Sequence, residues 1–337
     1  MKKILALILA AVMMMFCLVA CNNAPANDGT GTGDGTENNT ENNTENNTQK
    51  PEKITITCID GSRDEKEIQL EVPYDPQKIA VCDMATLDIL VNLGLEDRIV
   101  CVSDTTLDYL VDKVEGIPTC GTIKTPDAET IMKYEPDLIF MGGRGSDYYA
   151  TLSEIAPVVR LTVSGNVVEG TIKNAQTIAS IFGKTEEMNA KVSAYNERIE
   201  ALQAFAKGKS AIVGMVTSGG FNVTGNSGRC SIIGNEIGFA NVGVDKESED
   251  ASHGNLSSFE YILQKNPQYI FVMDRDAATG GASTAAEVMN NEVIGQTIAA
   301  KNGNVVILAR PSVWYTAEGG FTALGMMLED LEKALLK

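Results

Sequence analysis

The sequence predicts an α/β protein with two lobes, each with a central, mainly parallel sheet flanked by helices, joined by one long backbone helix. A 16-residue pattern occurs twice, at residues 129–144 and 260–275, with Glu, Pro, Ile-Phe and Arg at identical offsets. Each copy is typical of a short amphipathic helix, a proline that ends it, and a buried strand. Between the copies, apolar residues from Met188 to Leu202 recur at the spacing of a helix of about twenty residues. Two copies of one unit on either side of a long helix indicate two similar lobes.

The N-terminus has the pattern of an export signal. Lys2 and Lys3 precede an apolar run over residues 4–20, which ends in Leu-Val-Ala-Cys21. This ending resembles the lipobox of bacterial lipoproteins, in which the cysteine is diacylated and becomes the first residue. The alternative, a transmembrane anchor, is disfavoured because the run is short and a polar tract follows it. We predict a signal peptide over residues 1–20 and a lipid on Cys21. The lipid would hold the protein on the outer face of the cell membrane, facing the periplasm if an outer membrane exists.

Residues 21–52 offer little that a folded core could bury. A Thr-Glu-Asn-Asn repeat runs from Thr36 to Thr48, after a glycine-rich stretch. Such a composition is typical of a disordered chain. We therefore predict the lipidated cysteine and a disordered tether over residues 21–52. About 285 residues remain for folding, which is enough for two medium-sized lobes.

The charge balance excludes several classes of partner. The chain carries 45 acidic and 27 basic residues, which gives a net charge of −18. Such a surface disfavours nucleic acid and unaided adhesion to anionic lipid. An arginine cluster in a cleft would stand out against this background, because the rest of the protein repels anions.

Five cysteines lie in the predicted folded part, at positions 58, 82, 101, 120 and 230. None belongs to a Cys-x-x-Cys pair, which argues against zinc and thioredoxin-like sites. Cys82 and Cys101 lie within apolar strand patterns, so buried free thiols are expected. A disulfide remains open, and the sequence assigns none.

The N-terminal lobe is predicted over residues 53–167. Alternation over residues 54–72, with a turn at Asp60-Gly61, indicates a hairpin. Buried strands are expected at residues 78–82, 98–102 and 158–163, and a helix at residues 85–93, which Gly94 ends. This succession of strand and helix is typical of a parallel sheet.

Linking helices, including the backbone helix, are predicted over residues 168–208. The C-terminal lobe follows over residues 209–337. Its predicted strands lie at residues 211–216, 270–273 and 305–308, and a closing helix ends the chain over residues 320–336.

Three arginines are candidates for an anion site. Arg144 and Arg275 come directly after the strands of the two repeats, and Arg229 lies in a glycine-rich turn. The ligand crevice of a parallel α/β sheet lies outside the carboxyl ends of the strands, so Arg144 and Arg275 are expected to face one crevice between the lobes. Guanidinium groups bind oxygen anions bidentately. Each arginine alone could be a solvated surface residue, but the matched spacing of two of them favours a site.

His253, the single histidine, and Tyr315 are candidate metal ligands. Taken alone, His253 is more often structural or exposed, and Tyr315 more often a half-buried core residue. Together, an imidazole and a phenolate suit trivalent iron that is already mostly ligated. They do not suit free zinc or manganese, because there is one histidine and no accompanying carboxylate cluster.

The sequence around these residues resembles the lipid-anchored iron–siderophore binding proteins of bacterial ABC importers, the helical-backbone class with two lobes. The resemblance covers residues 53–337 and is strongest to the branch that binds ferric catecholates of the petrobactin and enterobactin-fragment type. Its most specific stretches are residues 252–255, 258–260 and 265–275, then 314–315 with 319–320, then 142–144, then 228–229.

The resemblance implies a ligand-binding role for the arginines. Arg144, Arg229 and Arg275 match the three arginines that line the family's pocket and contact the anionic iron–catecholate. Trp314, in the matched Trp-Tyr pair, is expected to bind the ligand as well.

The resemblance also implies metal ligands and a docking pair. His253 and Tyr315 match the residues that complete iron coordination when a tetradentate siderophore leaves two positions open. Glu129 and Glu260 match the glutamates that dock onto permease arginines. The repeat alone points the same way, because one carboxylate per lobe is what docking onto a two-fold partner requires.

We therefore predict a monomeric solute-binding lipoprotein that captures a ferric siderophore, preferably a catecholate, and delivers it to an ABC permease. It would be no enzyme and would need no intrinsic cofactor, since Fe(III) would arrive within the ligand. Alternatives are the same fold binding haem, a corrinoid or a hydroxamate siderophore, or an anchored hydrolase using Ser252 and His253, which the absence of Gly-x-Ser-x-Gly disfavours. Departures from the family at residues 311–313 and 316–318, including an added negative charge at Glu318, leave the siderophore open.

Overall fold

The computed structural model describes residues 50–163, 166–226, 228–243 and 255–336. The predicted signal peptide, Cys21 and nearly all of the tether lie outside these ranges, as does His253. Residues Gln49–Lys337 form one compact unit. None of the helices described is both long and apolar enough to cross a bilayer.

The N-terminal lobe has the predicted hairpin followed by a four-stranded parallel sheet. Strands β1 (Lys53–Ile59) and β2 (Glu67–Pro73) pair antiparallel. The sheet has the order β4-β3-β5-β6, from strands that are almost entirely buried: β3 (Ile79–Cys82), β4 (Ile99–Val102), β5 (Leu138–Met141) and β6 (Val158–Arg160). Its helices are α1 (Met84–Asn92), α2 (Asp108–Val111), α3 (Ala128–Lys133) and α4 (Tyr149–Ser153), with 3-10 turns at Glu96–Arg98 and Gly143–Tyr148.

Two long helices lead from this lobe to the next. Helix α5 spans Val167–Ile181, and α6 spans Thr185–Ala206, which is 22 residues. The predicted helix of about twenty residues is therefore confirmed, and at about 1.5 Å per residue α6 is roughly 33 Å long.

The C-terminal lobe has a mixed sheet of order β10-β8-β7-β11-β12, with β9 also pairing to β7. The strands are β7 (Ser210–Thr217), β8 (Gly220–Val223), β9 (Ala240–Asn241), β10 (Asn255–Leu256), β11 (Tyr269–Asp274) and β12 (Val305–Ile307). The pairs β7–β11 and β11–β12 are parallel as predicted. We did not predict β9, which adds a further parallel pair, or β8 and β10, which add antiparallel pairs.

The helices of this lobe are mostly single turns. They are α7 (Ile232–Asn235), α8 (Phe259–Lys265), α9 (Arg275–Thr279), α10 (Ala285–Met289), α11 (Glu292–Gly295), α12 (Ile298–Lys301), α13 (Pro311–Thr316) and the long closing helix α14 (Phe321–Leu335).

The repeated sequence pattern is also repeated in backbone conformation. Helix α3, Pro136 and β5 form one copy, and α8, Pro267 and β11 form the other. Glu135 and Asn266, at matching positions just before the prolines, both have a left-handed backbone, with φ of 49° and 43°. This conformation ends each helix and turns the chain into the strand. The α/β class and its two related units are thus confirmed.

The closing helix, which the sequence assigns to the C-terminal lobe, also contacts helices of the N-terminal half. It packs against α1, α5 and α6 as well as against α13. The buried carboxylate of Asp88, on α1, accepts hydrogen bonds from the backbone N–H groups of Thr322 and Ala323 at 2.7 and 3.0 Å. Arg198, on α6, makes a two-pronged ion pair with Glu332. One apolar core accordingly runs from α1 and α6 through α14 to β7 and β11.

The five described cysteines are buried free thiols, as expected. Cys82 and Cys120 approach each other to 3.9 Å between Sγ atoms in the N-terminal lobe.

Candidate functional site

A cleft of about 510 Å³ lies at the carboxyl ends of the N-terminal strands. One wall is formed by residues that follow β3, β5 and β6, among them Asp83, Arg144 and Thr162. The other wall comes from the C-terminal half of the chain and includes Arg229 and Glu318. The position agrees with the general rule for open α/β sheets.

Arg144 is placed by the end of a buried strand. Strand β5 stops at Met141, and Gly142 and Gly143 lead into the 3-10 turn that carries Arg144. A side chain at Gly142 would collide with the carboxylate of Asp83, so glycine lets β5 end close to the start of α1. Arg144 is exposed at the cleft, where its guanidinium is free to meet a ligand from solvent.

Asp83 is a cleft acid with a structural task. It is the N-cap of α1, and its Oδ2 accepts a hydrogen bond from the backbone N–H of Thr86 at 2.8 Å. Burial raises its pKa, whereas the Thr86 N–H and the charge of Arg144 act in the opposite direction. The sequence signal was available, because an aspartate between a strand and a helix is a typical N-cap.

Arg229, Arg275 and Tyr315 form one cluster. The Nε of Arg275 donates a hydrogen bond to the hydroxyl oxygen of Tyr315 at 3.0 Å. The guanidinium carbon of Arg229 lies 4.4 Å from the centre of the Tyr315 ring, and its Nε donates to the Tyr315 carbonyl at 3.1 Å. Two cations thus orient one phenol, through a hydrogen bond and through the face of its ring.

The structure brings the predicted arginines together only in part. Arg144 and Arg229 line the cleft, one on each wall. Within the described part of the chain, Arg275 and Tyr315 are not among the lining residues. Tyr315 contacts Arg229 and precedes Thr316, both of which line the cleft, and Arg275 is bonded to Tyr315.

Trp314 is not part of the candidate site, which corrects our expectation. Its side chain is 0% exposed, and its indole Nε1 donates a hydrogen bond to Asp330 Oδ2 at 3.0 Å. On the short helix α13, Tyr315 points toward the arginine cluster while Trp314 packs into the core beneath α14. Adjacent residues on a helix point in different directions, and here the indole of Trp314 packs in the core while the phenol of Tyr315 does not.

Glu318 is a cleft residue whose environment the sequence did not reveal. Burial raises its pKa to about 7, while Arg229 and the backbone N–H of Cys230 act to lower it. Its Oε1 is buried and has no hydrogen-bond partner among the residues that the structure describes.

Glu65 and Arg160 form an ion pair on the N-terminal side of the cleft. Arg160 is 2% exposed; its guanidinium pairs with the carboxylate of Glu65 and donates to the carbonyl of Asp60 at 2.6 Å. Glu65 lines the cleft and has a left-handed backbone, with φ of 49°. Neither residue carried a sequence signal, because the pair joins a loop to a strand 95 positions away.

Glu129 and Glu260 occupy equivalent exposed positions. Each is the second residue of its helix, α3 or α8, after a capping Asp127 or Ser258. The side chains of Asp127 and Ser258 accept hydrogen bonds from backbone N–H groups of the first turn, so the glutamates are not needed as caps. Both glutamates are exposed to solvent.

Within the described ranges, no group of three or more His, Cys, Asp or Glu side chains could hold a metal ion.

Comparison with known proteins places this architecture. Residues 79–311 match the family described as periplasmic binding protein. The chain belongs to this family. The petrobactin-binding protein YclQ of Bacillus subtilis is 30% identical over 272 residues, which cover 79% of this chain and 85% of YclQ. The ferric-anguibactin-binding protein FatB of Vibrio anguillarum is 27% identical over 279 residues, covering 79% of this chain and 84% of FatB.

Solved structures of family members match the fold. The crystal structure of YclQ aligns with a TM-score of 0.75 at 29% identity and covers 85% of this chain and 100% of the YclQ chain. The periplasmic catecholate-siderophore binding protein VctP of Vibrio cholerae aligns with a TM-score of 0.74 at 30% identity, covering 83% of this chain and 100% of VctP.

Proposed function

We propose that this protein captures a ferric siderophore, a catecholate in the first instance, outside the cytoplasmic membrane and delivers it to an ABC permease. The observation that carries the proposal is the pair Arg144 and Arg229 on opposite walls of one cleft, in a chain with a net charge of −18. Ferric catecholates are anionic, and guanidinium groups are the side chains that best match anionic oxygens. The names of YclQ and VctP, which refer to petrobactin and to a catecholate siderophore, support this ligand class.

The arginine–tyrosine cluster would complete recognition. Arg275 would hold the Tyr315 phenol by its hydroxyl oxygen, and Arg229 would offer its remaining donors to the ligand. In this proposal Tyr315 and His253 take the two iron positions that a tetradentate siderophore leaves open. A phenolate is a hard oxygen donor suited to Fe(III), and the hydrogen bond from Arg275 would hold the phenol oxygen in place.

Glu129 and Glu260 would dock the loaded protein. Their equivalent, exposed positions on two related helices fit a partner that presents two related cationic sites. A lipid on Cys21 and a tether up to residue 52 would keep the protein, as a monomer, near a permease in the same membrane.

The test is a titration of residues 50–337 that follows the fluorescence of Trp314, next to Tyr315 in the chain. Ferric complexes of a tetradentate bis-catecholate, a hexadentate tris-catecholate and a hydroxamate would be compared with haem. We expect the catecholates to bind most tightly. Arg144→Gln and Arg229→Gln should each weaken binding about 10- to 100-fold, the loss expected for one hydrogen bond to a charged group.

The matched control is Lys301→Gln, which removes an exposed cation that does not line the cleft. Equal losses for the control and the two arginine variants would refute specific recognition by the cleft. Tight binding of haem or of the hydroxamate, with none of the catecholates, would keep the importer and discard the ligand class. Tyr315→Phe separates ligation from positioning, since loss of a ligand-to-metal absorption band at unchanged affinity would still show that the phenol reaches iron.

A further inference from the structure

Glu318 is an acid placed where an anionic ligand is expected. It follows helix α13 by two residues and lines the cleft beside Arg229. The Glu318 Oε1 is buried without a described partner, which is costly for a carboxylate and much less so for a neutral acid.

The charges that face Glu318 are few and come from both halves of the cleft. From the turn after β8, Arg229 favours the carboxylate, as does the backbone N–H of Cys230. From the end of α7, the buried Glu236 disfavours it. Arg144, Asp83 and Glu65 line the cleft from the N-terminal half, and Glu65 is paired with Arg160. Burial is the largest influence, and it raises the pKa of Glu318 to about 7.

We propose that Glu318 is a specificity-determining residue: it is a neutral acid whenever the cleft holds an anionic iron complex, so that a complex that enters while Glu318 is ionised binds with uptake of one proton. This inference rests on the proposed function. An ionised Glu318 would repel such a ligand at short range and would offset the charge of Arg229. A bound anion in turn favours the protonated form of Glu318, because it repels the carboxylate.

The affinity for an anionic complex should fall as the pH rises. Below about pH 7 the acid is already neutral, so its contribution to affinity is constant. Above about pH 7 the empty site is ionised and binding must take up a proton, so affinity falls by up to tenfold per pH unit. A ferric complex without net charge should show little of this dependence.

The experiment compares the wild-type protein with Glu318→Gln, which keeps the size of the side chain and imitates the neutral acid. Affinities for the ferric bis-catecholate and for an uncharged ferric tris-hydroxamate are measured between about pH 6 and about pH 9. Calorimetry in two buffers of different ionisation enthalpy counts the protons. Glu292→Gln is the matched control, since it removes an exposed carboxylate of the same half of the chain outside the cleft.

We expect the bis-catecholate to bind with about one more proton taken up by the wild type than by Glu318→Gln at about pH 8. Glu292→Gln should behave as the wild type. Any pH dependence of affinity that all the proteins share is due to the titration of groups other than Glu318, such as those of the ferric complex. Identical pH profiles and proton counts in wild type and Glu318→Gln overturn this inference and leave the proposed function intact. A wild type that takes up fewer protons than Glu318→Gln also overturns it, since the carboxylate would then be receiving a cationic group. If no ferric complex binds, the proposed function fails and this inference fails with it.

Discussion

Removal of the Asp88 side chain tests whether its hydrogen bonds to the start of α14 hold this helix against α1 of the first lobe. Asp88 is fully buried on α1 and accepts three hydrogen bonds, from the N–H groups of Thr322 and Ala323 and from the hydroxyl of Tyr109 at 2.7 Å. It therefore caps the first turn of α14 from a different element, a task that a residue at the helix N-terminus usually performs.

The expected cost follows from those three contacts. A lost helix cap costs about 1 kcal/mol. Each buried donor left without an acceptor costs about 1–3 kcal/mol, and not all of this adds because water can enter the vacated space. We expect Asp88→Ala to lower the free energy of unfolding by about 4 kcal/mol, a large fraction of the roughly 5–15 kcal/mol typical of a folded protein.

Urea unfolding of residues 50–337, followed by tryptophan fluorescence and circular dichroism, measures this loss. Tyr109→Phe is the matched control, because it removes one of the three donors and should cost only about 1 kcal/mol. Asp88→Asn keeps the volume but not the charge, and it should fall between the two. If Asp88→Ala costs no more than Tyr109→Phe, the fastening of α14 through Asp88 is wrong.

Three further predictions concern stability and reactivity. The raised pKa of Glu318 means that the folded chain retains a proton which the unfolded chain loses near pH 4.5, so stability falls as pH rises from there to about 7. Glu318→Gln should remove this fall and be about 3 kcal/mol more stable than the wild type at about pH 8, as measured by urea unfolding. Trp314→Phe should lower the free energy of unfolding by about 2 kcal/mol, since it leaves a small cavity and one fewer donor to Asp330. Because this variant has no tryptophan, circular dichroism follows its unfolding in urea, and an unchanged urea midpoint would contradict the burial. The five described thiols should resist an aromatic disulfide reagent in the native state and all react in urea, and rapid native labelling would show that one is exposed.

Local sequence patterns predicted the fold class well because the repeated unit contains its own signals. Proline, the apolar run and the capping residue set helix, turn and strand in both copies, independently of distant contacts. Strand β8 and helices α9 to α12 were not predicted, because segments of four or five residues are too short to reveal a periodic pattern of apolar residues.

The candidate site was less predictable because its geometry depends on contacts between distant segments. Spacing indicated that Arg144 and Arg275 would follow strands, but it could not reveal that Arg275 pairs with Tyr315, 40 positions away. The burial of Trp314 depends on α14, which lies over it from later in the chain. No local pattern distinguishes a tryptophan that binds a ligand from one that fills a core.

The shared core has a consequence for modularity. Because α14 joins α1 and α6 to the second sheet, neither lobe contains all of the surface that buries its own apolar residues. A cut between α6 and β7 would therefore not release two small independent domains. Each fragment would expose an apolar face, and the N-terminal fragment would also leave the Asp88 carboxylate without two of its donors. The duplicated unit is visible in the sequence, yet its two copies are no longer separable parts.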